Sequence, residues 1–248
     1  MKKQKNNLAK ALIFSGAFLF VIIYILEKIY LENPSLSTIQ PIKILAFIIL
    51  YGGAILYIRT KEKSPLKKSI TYIKDSKKYI CAVFLIFLVG AVLGIIFKDN
   101  LSFLDNVIKE IIQQTENLST KELIIFIFLN NTLSSIFGIF GGIAFGIMPI
   151  ISSISNGVLL GYVMNKAVTF AGIGTIWRLF PHGIFELPAI FISFGLGIKL
   201  GFSIIKLSKK RKEFKKKIYE TFVALVYCVI PLLIIAAIIE GFLIGLIE

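Results

Sequence analysis

The sequence has few charged residues and few of the side chains that most often carry chemistry. Only 17% of its 248 residues are charged, and it contains one histidine, two cysteines and one tryptophan. A single histidine with no cysteine nearby excludes the usual zinc ligand sets, so we expect no metal and no other cofactor. Cys81 and Cys228 lie inside apolar runs and make no disulfide framework. Without a Gly-x-Ser-x-Gly or His-Glu-x-x-His motif, we expect no enzyme activity.

Apolar residues are abundant instead. They make up 56% of the chain, and the mean hydropathy is +0.85, too high for one soluble core. The sequence predicts an all-α polytopic membrane protein, because each apolar run is long enough to cross a bilayer as a helix. The seven predicted spans are Leu8–Leu26, Ile39–Ile58, Tyr79–Phe97, Leu123–Gly146, Gly157–Ile173, His182–Ile205 and Tyr219–Ile247.

The net charge of +14 suggests a nucleic-acid partner, but its distribution favours membrane topology. Twenty of the 28 Lys and Arg residues lie in three short stretches between apolar runs: 2–10, 59–78 and 206–217. Basic loops stay on the cytoplasmic side of a membrane. The sequence therefore predicts a plasma membrane protein with its N-terminus inside and its C-terminus outside, and no nucleic-acid partner.

Two domains are predicted: an N-terminal two-span hairpin with a basic cytoplasmic linker over residues 1–78, and a five-span core over 79–248. In the linker, Leu66, Ile70 and Ile73 fall on one helical stripe among lysines. This pattern is typical of a basic helix on an anionic leaflet, and a solvated loop fits it equally well.

The segment Asn100–Leu118, between the third and fourth spans, has the pattern of an amphipathic helix. Ser102-x-x-Asp105 resembles a capping box at its start. Its charges are mostly acidic, which suits the outer side and a protein neighbour better than an anionic lipid surface. We therefore expect an envelope protein to dock on this outer segment.

Glycine pairs separated by three residues occur in each of the last five spans. Close backbone approach through such small residues holds membrane helices together, so the Gly-x-x-x-Gly pairs predict a tight bundle or a homodimer face. The pairs are Gly90/Gly94, Gly138/Gly142, Gly157/Gly161, Gly197/Gly201 and Gly241/Gly245.

Four polar residues fall at a similar predicted depth, about 7–10 Å below the outer surface: Asn130, Lys166, Glu186 and Glu240. We expect Lys166 to pair with Glu186 or Glu240, and one carboxyl to stay protonated. His182 lies four residues before Glu186 and so on the same helical face. These polar residues have three possible functions. They form polar contacts that hold the helices together, or they line a pathway for an ion, a proton or a headgroup, with catalysis as the third alternative.

Two local features bear on these readings. A break in the sixth span at Pro188 would expose backbone polar groups to a cavity and favour the pathway. Asn156 followed by Gly157 is predicted to cap the start of the fifth span, because Pro149 and the serines after it interrupt the apolar pattern.

Several of these residues together resemble the stage II sporulation protein M family, over about Tyr79 to the end of the chain. This resemblance implies a five-span integral membrane core. It also implies kinship with proteins that, in sporulating bacteria, join a complex remodelling septal peptidoglycan during engulfment. The family also occurs in archaea and in bacteria that do not sporulate. The residues that carry the resemblance are Asn130, Asn131, Asn156, Gly157, Gly161, Pro181, His182, Gly183, Glu186, Leu187, Pro188, Ala189 and 236–240 with Glu240.

Together these observations predict a non-enzymatic membrane scaffold of the cell envelope. It is expected to be homodimeric, embedded in the lipid bilayer and bound to an envelope protein on its outer face. The alternative is a transporter, channel or lipid translocator that uses the Asn/Lys/Glu layer.

Overall fold

The computed structural model describes the backbone of residues 2–30, 36–116, 118–204 and 207–245. Side chains are described for residues 3–23, 41–116, 118–174, 185–204 and 211–243. In these residues the chain is helical and contains no strand. The helices are α1 (Lys2–Tyr30), α2 (Leu36–Lys61), α3 (Pro65–Lys74), α4 (Lys77–Ile96), α5 (Leu104–Thr115), α6 (Thr120–Gly141), α7 (Ile147–Ala171), α8 (Ile176–Ile204), α9 (Leu207–Ala224) and α10 (Ile230–Gly245).

The prediction of seven spans is confirmed by helix length and composition over the described residues. Each span falls on one helix, except that the last runs from α9 into α10. Which end of each helix faces the cytoplasm stays a prediction. The seven segments are Lys3–Ile23, Pro41–Lys61, Lys77–Ile96, Thr120–Gly141, Ile147–Ala171, Phe185–Ile204 and Arg211–Leu243.

The chain forms two compact units, Met1–Lys68 and Ser69–Glu248. In the first unit, α1 and α2 pack as an antiparallel hairpin. A Cβ added at Gly16 would lie 2.6 Å from the backbone nitrogen of Leu50, and one added at Gly53 would lie 2.9 Å from that of Ile13. The two backbones therefore approach closely at both glycines. The predicted domain boundary after Lys78 stays a prediction.

In the second unit, α4 and α7 come into close backbone contact. A Cβ added at Gly90 would lie 2.5 Å from the carbonyl oxygen of Ile154, and Gly94 faces Val158 one turn further along both helices. Because the residue numbers rise together, α4 and α7 run parallel. The glycines that leave no room for a side chain here are Gly90 and Gly94 in α4, and Gly157 and Gly161 in α7.

Helices α6 and α8 make a second parallel contact of the same kind. Gly138 faces the ring of Phe194, and Gly142, at the end of α6, faces the backbone of Gly197. Gly201 in turn faces Gly142 and Gly146, where the chain turns with a φ of 78°. Glycine is needed at this turn because other residues rarely adopt a positive φ.

Helix α8 is the centre of the second unit. Its buried share is 72%, the largest among the spans found in the described residues. Its aromatic residues Phe191 and Phe194 pack with Val83 and Phe87 of α4 in one apolar cluster. Phe191 lies near Phe87, and Gly195 lies near Ile80, so α8 runs antiparallel to α4. A buried central helix is where a polar side chain needs partners from its neighbours.

The last span contains one wide turn. Residues Leu225–Val229 form a π-helical turn between α9 and α10, and Pro231 follows it. A proline inside a helix has no N–H for the carbonyl four residues earlier, here Tyr227, and its ring crowds that carbonyl. The wider turn relieves this conflict, so the helix continues through the proline.

One predicted helix boundary is wrong, and the break at Pro188 that would favour the pathway reading does not occur in the described backbone. Helix α7 begins at Ile147, ten residues before the predicted start, so Asn156 is not a cap. Pro149 lies in the first turn of α7, where a missing N–H costs no helical hydrogen bond. Helix α8 continues without a break through Pro188. The pathway reading therefore loses the support of a broken sixth span.

Candidate functional site

Three polar side chains from three spans meet inside the second unit. Glu186 of α8 hydrogen-bonds with Glu240 of α10 and with Asn131 of α6. All three lie in segments long and apolar enough to cross a membrane. Asn131 is buried, and both glutamates are half-buried. We name Asn131, Glu186 and Glu240 the carboxyl cluster.

The carboxyl cluster contains at least one proton. An ionised carboxylate can only accept hydrogen bonds, so a hydrogen bond between Glu186 and Glu240 needs a proton on one of them. The amide of Asn131 can donate to the other carboxyl. A charged side chain at the centre of a bilayer costs about 2.5–3.5 kcal/mol on the insertion scale. Sharing a proton avoids placing two such charges side by side, and it makes the cluster able to hold or pass on a proton.

The asparagine of this cluster is not the one predicted. Asn130 was expected in the polar layer, but it is exposed, whereas Asn131 is 8% exposed and contacts Glu186. Consecutive residues on a helix point about 100° apart, so only one member of the pair can face α8. The structure therefore replaces Asn130 by Asn131 in the cluster.

Lys166 does not join the carboxyl cluster. It forms an ion pair with Asp105 of α5, and its Nζ lies 5.1 Å from the ring centroid of Tyr162. The Tyr162 hydroxyl donates to Asp105 Oδ1 at 2.8 Å. The expected pairing of Lys166 with Glu186 or Glu240 is thus corrected. Lys166 is on α7, and its long side chain reaches towards α5 at the end of the span.

This ion pair perturbs the carboxyl that it holds. The hydrogen bond from Lys166, followed by that from Tyr162, lowers the pKa of Asp105 below its usual value. Asp105 was expected to cap α5 together with Ser102, but no side chain caps this helix. A reciprocal capping pair occurs at the start of α6 instead, where Glu122 accepts from the Ser119 N–H at 3.0 Å and from its hydroxyl at 2.6 Å.

The remaining predicted residues fall into two groups. Pro181, His182 and Gly183 lie outside the side chains that the structure describes, so the predicted neighbourhood of His182 and Glu186 stays a prediction. Asn156 is exposed in the middle of α7, and its amide donates to the Ser152 carbonyl at 2.9 Å. Gly157 and Gly161 contact the backbone of α4 rather than a polar site.

A second polar cluster, which we did not predict, lies near the other end of α8. Lys199 of α8 donates to the Ser76 hydroxyl at 2.8 Å, and Lys217 of α9 donates to the Ser203 hydroxyl at 2.9 Å. The two halves are joined, because the Ser203 hydroxyl donates to the Lys199 carbonyl at 2.6 Å. We name Ser76, Lys199, Ser203 and Lys217 the lysine cluster. Its only signal in the sequence is a lone lysine, Lys199, inside an apolar run.

Helix α3 packs beside the lysine cluster. Lys199 Nζ lies 3.7 Å from the ring centroid of Tyr72, and the Tyr72 hydroxyl is 3.2 Å from that of Thr221. Ser69 donates to the Val223 carbonyl at 3.1 Å. Burial raises the pKa of Tyr72 to about 12. The basic linker is thus helical and anchored by one face to α9, which the sequence left open between a helix and a loop.

No group of three or more metal-ligating side chains occurs among the described residues.

Comparison with known proteins identifies relatives over most of the chain. The sequence model described as Stage II sporulation protein M matches residues 83–243. The uncharacterized protein MJ0793 of Methanocaldococcus jannaschii is 31% identical over 169 residues, which cover 66% of this chain and 92% of that protein. MJ0706 of the same organism is 30% identical over 211 residues, covering 77% and 92%. No solved structure matches.

Proposed function

The chain belongs to the stage II sporulation protein M family, and from this premise we propose that it is a non-enzymatic scaffold of the cell envelope. It resides in the plasma membrane with the start of α1 in the cytoplasm, and its helix α5 docks an envelope protein on the outer side. Seven apolar helices support the membrane location. The proposal is carried by one observation, the uncovered apolar face of α5.

Helix α5 exposes apolar side chains that no part of the described chain covers. None of its residues is buried. Ile111 and Ile112 are 45% and 52% exposed, and Phe103 just before the helix is 60% exposed. Fully burying one isoleucine contributes about 1.5–3 kcal/mol of free energy, so a partner that covers this face would gain that amount for each isoleucine it buries.

Two features favour a protein partner over lipid headgroups. The segment from Lys98 to Glu122 contains five acidic and three basic residues, so it has no charge complementarity to an anionic leaflet. Asp105 also fixes the start of α5 to α7 through Lys166 and Tyr162. A helix held at one end presents a preformed surface, which lowers the ordering cost of binding.

Crosslinking inside the native cell tests the docking. A photo-crosslinking residue at Ile112 should give one discrete protein adduct, whereas the same residue at Gln113 should give none. Gln113 is the matched control because it is exposed on the same helix and points about 100° away. Adducts with lipid alone at position 112 would contradict the proposal.

The captured protein must then bind directly. Purified chain in detergent micelles should bind the purified partner, and Ile112→Glu should weaken the affinity roughly tenfold to hundredfold, the worth of one buried isoleucine. Gln113→Glu adds the same charge and should leave the affinity within about twofold. Equal losses in both variants would show a charge effect and not docking.

The carboxyl cluster supports a second candidate function, the movement of a proton, an ion or a lipid headgroup. Intramembrane carboxyls are typical of such pathways. Purified protein in liposomes should then move protons, ions or fluorescent lipid, and Glu186→Gln and Glu240→Gln should abolish the movement. Under the scaffold proposal neither variant changes the permeability of the liposomes. Flux that depends on both carboxyls would replace the scaffold with a transporter.

A homodimer remains part of the proposal, with a constraint on its face. Four glycine pairs lie against other helices of the same chain through Gly90, Gly138, Gly157 and Gly197. We propose that these pairs hold the bundle together and that a dimer uses other surfaces. Crosslinking of single-cysteine variants tests this: contact between copies through Gly157 would contradict it.

A further inference from the structure

We propose that the lysine cluster binds the phosphate group of an anionic phospholipid. Its ammonium groups on Lys199 and Lys217 come from neighbouring helices, and the hydroxyls of Ser76 and Ser203 lie beside them. Ammonium groups donate hydrogen bonds to phosphate oxygens, and the two lysines are therefore the ligand donors, because both hydroxyls already donate to the carbonyls of Tyr72 and Lys199. The site is separate from the carboxyl cluster: Lys199 lies thirteen residues after Glu186 on α8, about 20 Å along the helix.

Each ammonium group keeps hydrogen-bonding capacity for a ligand. A lysine has three donors, and the partners found for Lys199 and Lys217 in the described part of the chain are single neutral hydroxyls. The Tyr72 ring supports Lys199 from one side at 3.7 Å. Both lysines are half-buried, so their charges are less screened than those of surface lysines.

The surrounding charges leave a positive excess. The charged groups that act on Lys199 are Asp75, Lys217, Glu220 and Lys78. Glu220 already has Lys216 at 3.9 Å. Two acids therefore face four lysines, Lys199 included, which favours an anion. Exposed Lys74 and Lys77 on either side of Asp75 add to this potential.

The position of α3 puts this cluster at the level of lipid headgroups. Lys61 ends one span and Lys77 begins the next, so the α3 segment between them stays on one side of the membrane. Ile70 is 44% exposed and lies beside the face of α3 that packs on α9. An apolar flank next to a cationic cluster suits the acyl chains and the phosphate of one lipid, which a free anion would not use.

Lipid titration of the purified full chain in a non-ionic detergent tests the proposal. Native mass spectrometry should show phosphatidylglycerol bound at least about tenfold more tightly than phosphatidylcholine. Lys217→Gln should weaken phosphatidylglycerol binding about fivefold, the effect of one basic residue near an anionic surface. Lys109→Gln is the matched control, because Lys109 is exposed on α5, and it should change nothing.

Lys199→Gln should give a loss of at least the same size. Since Lys199 also supports Tyr72, Lys217→Gln carries the test if the Lys199 variant does not fold. Equal binding of the two lipids by the unchanged protein, or unchanged binding by Lys217→Gln, would overturn the proposal. Inorganic phosphate is the third probe: if it displaces phosphatidylglycerol at equal concentration, the cluster is a site for soluble anions instead.

Discussion

The carboxyl cluster and the lysine cluster each bring together two ionisable side chains of the same type from neighbouring helices. The two pairs avoid charge repulsion in different ways. Glu186 and Glu240 hydrogen-bond to each other, which a shared proton makes possible. Lys199 and Lys217 have no such option, because an ammonium group cannot accept a hydrogen bond. They turn instead to separate hydroxyls and, for Lys199, to an aromatic ring.

This difference separates a closed site from an open one. A carboxyl pair that shares a proton and contacts Asn131 has hydrogen-bond partners inside the bundle and does not present two like charges to a ligand. A lysine pair whose hydrogen-bond partners are single hydroxyls has donors left for an anion, which is the basis of the proposed phosphate site. The first arrangement suits helix packing or proton storage, and the second suits binding at a membrane surface.

The largest effect is expected from breaking the carboxyl pair. Glu240→Leu leaves Glu186 without its carboxyl partner, and we expect the free energy of unfolding to fall by about 1–3 kcal/mol. Glu240→Gln can still donate a hydrogen bond and should stay within about 1 kcal/mol of the unchanged protein. Unfolding by dodecyl sulfate in mixed micelles measures both, with Glu110→Leu on α5 as an exposed control. Equal stability of the Leu and Gln variants would show that the pair is not a hydrogen-bonded unit.

An alkaline effect is expected beside the lysine cluster. Burial raises the pKa of Tyr72 from 10.0 to about 12, so the folded state favours the neutral phenol. This contribution is complete below the unfolded pKa and is lost as the pH rises through the folded one. From about pH 9 to about pH 11, the free energy of unfolding should fall by about 1 kcal/mol more than in Tyr72→Phe. The difference between the two melting curves isolates Tyr72 from other groups, and parallel curves would contradict its burial.

The smallest effect is expected from breaking the ion pair between Asp105 and Lys166. Its two charges are opposite, unlike those of the two clusters, and it is partly exposed to solvent. Asp105→Asn should leave global stability unchanged and speed hydrogen exchange in residues 104–115. The pKa of Asp105 is lowered in the folded chain. The contribution of its ion pair to the stability of α5 is therefore fully present above the usual pKa of an aspartate, and it is lost as the pH falls through the lowered pKa. The unchanged protein and the variant should therefore converge in acid. Asp99→Asn is the control, and α5 protection that does not respond to Asp105→Asn would show that the ion pair does not hold the helix.

The sequence was informative where composition decides the structure. Long apolar runs and basic stretches predicted all seven spans, and the residues around Glu186 predicted the family, which the match over residues 83–243 confirms. The carboxyl cluster was predicted in part, since Glu186 and Glu240 come together. Charges buried in spans are rare enough that their presence alone marks them.

Other features depend on helix phase and on neighbours that are distant in sequence. The choice of Asn131 over Asn130 depends on a rotation of 100° that the apolar pattern does not record. Lys166 meets Asp105, 61 residues earlier, and no local signal connects them. The serines before Asn156 suggested a loop, but Ser153 is buried and donates to the Val83 carbonyl of α4 at 2.9 Å. The polar side chain of Ser153 thus makes a hydrogen bond to another helix and does not mark a loop.

The parallel pairing of α4 with α7 has a consequence for biogenesis. Gly90 faces Ile154, so its partner is synthesised about 64 residues later. At about 5–20 residues per second, α4 waits several seconds in the bilayer before α7 arrives. During that interval its bare glycine face is open to other helices. The contact between α4 and α7 therefore forms only after α5, α6 and α7 have been synthesised, and the carboxyl cluster forms later still, when α10 arrives.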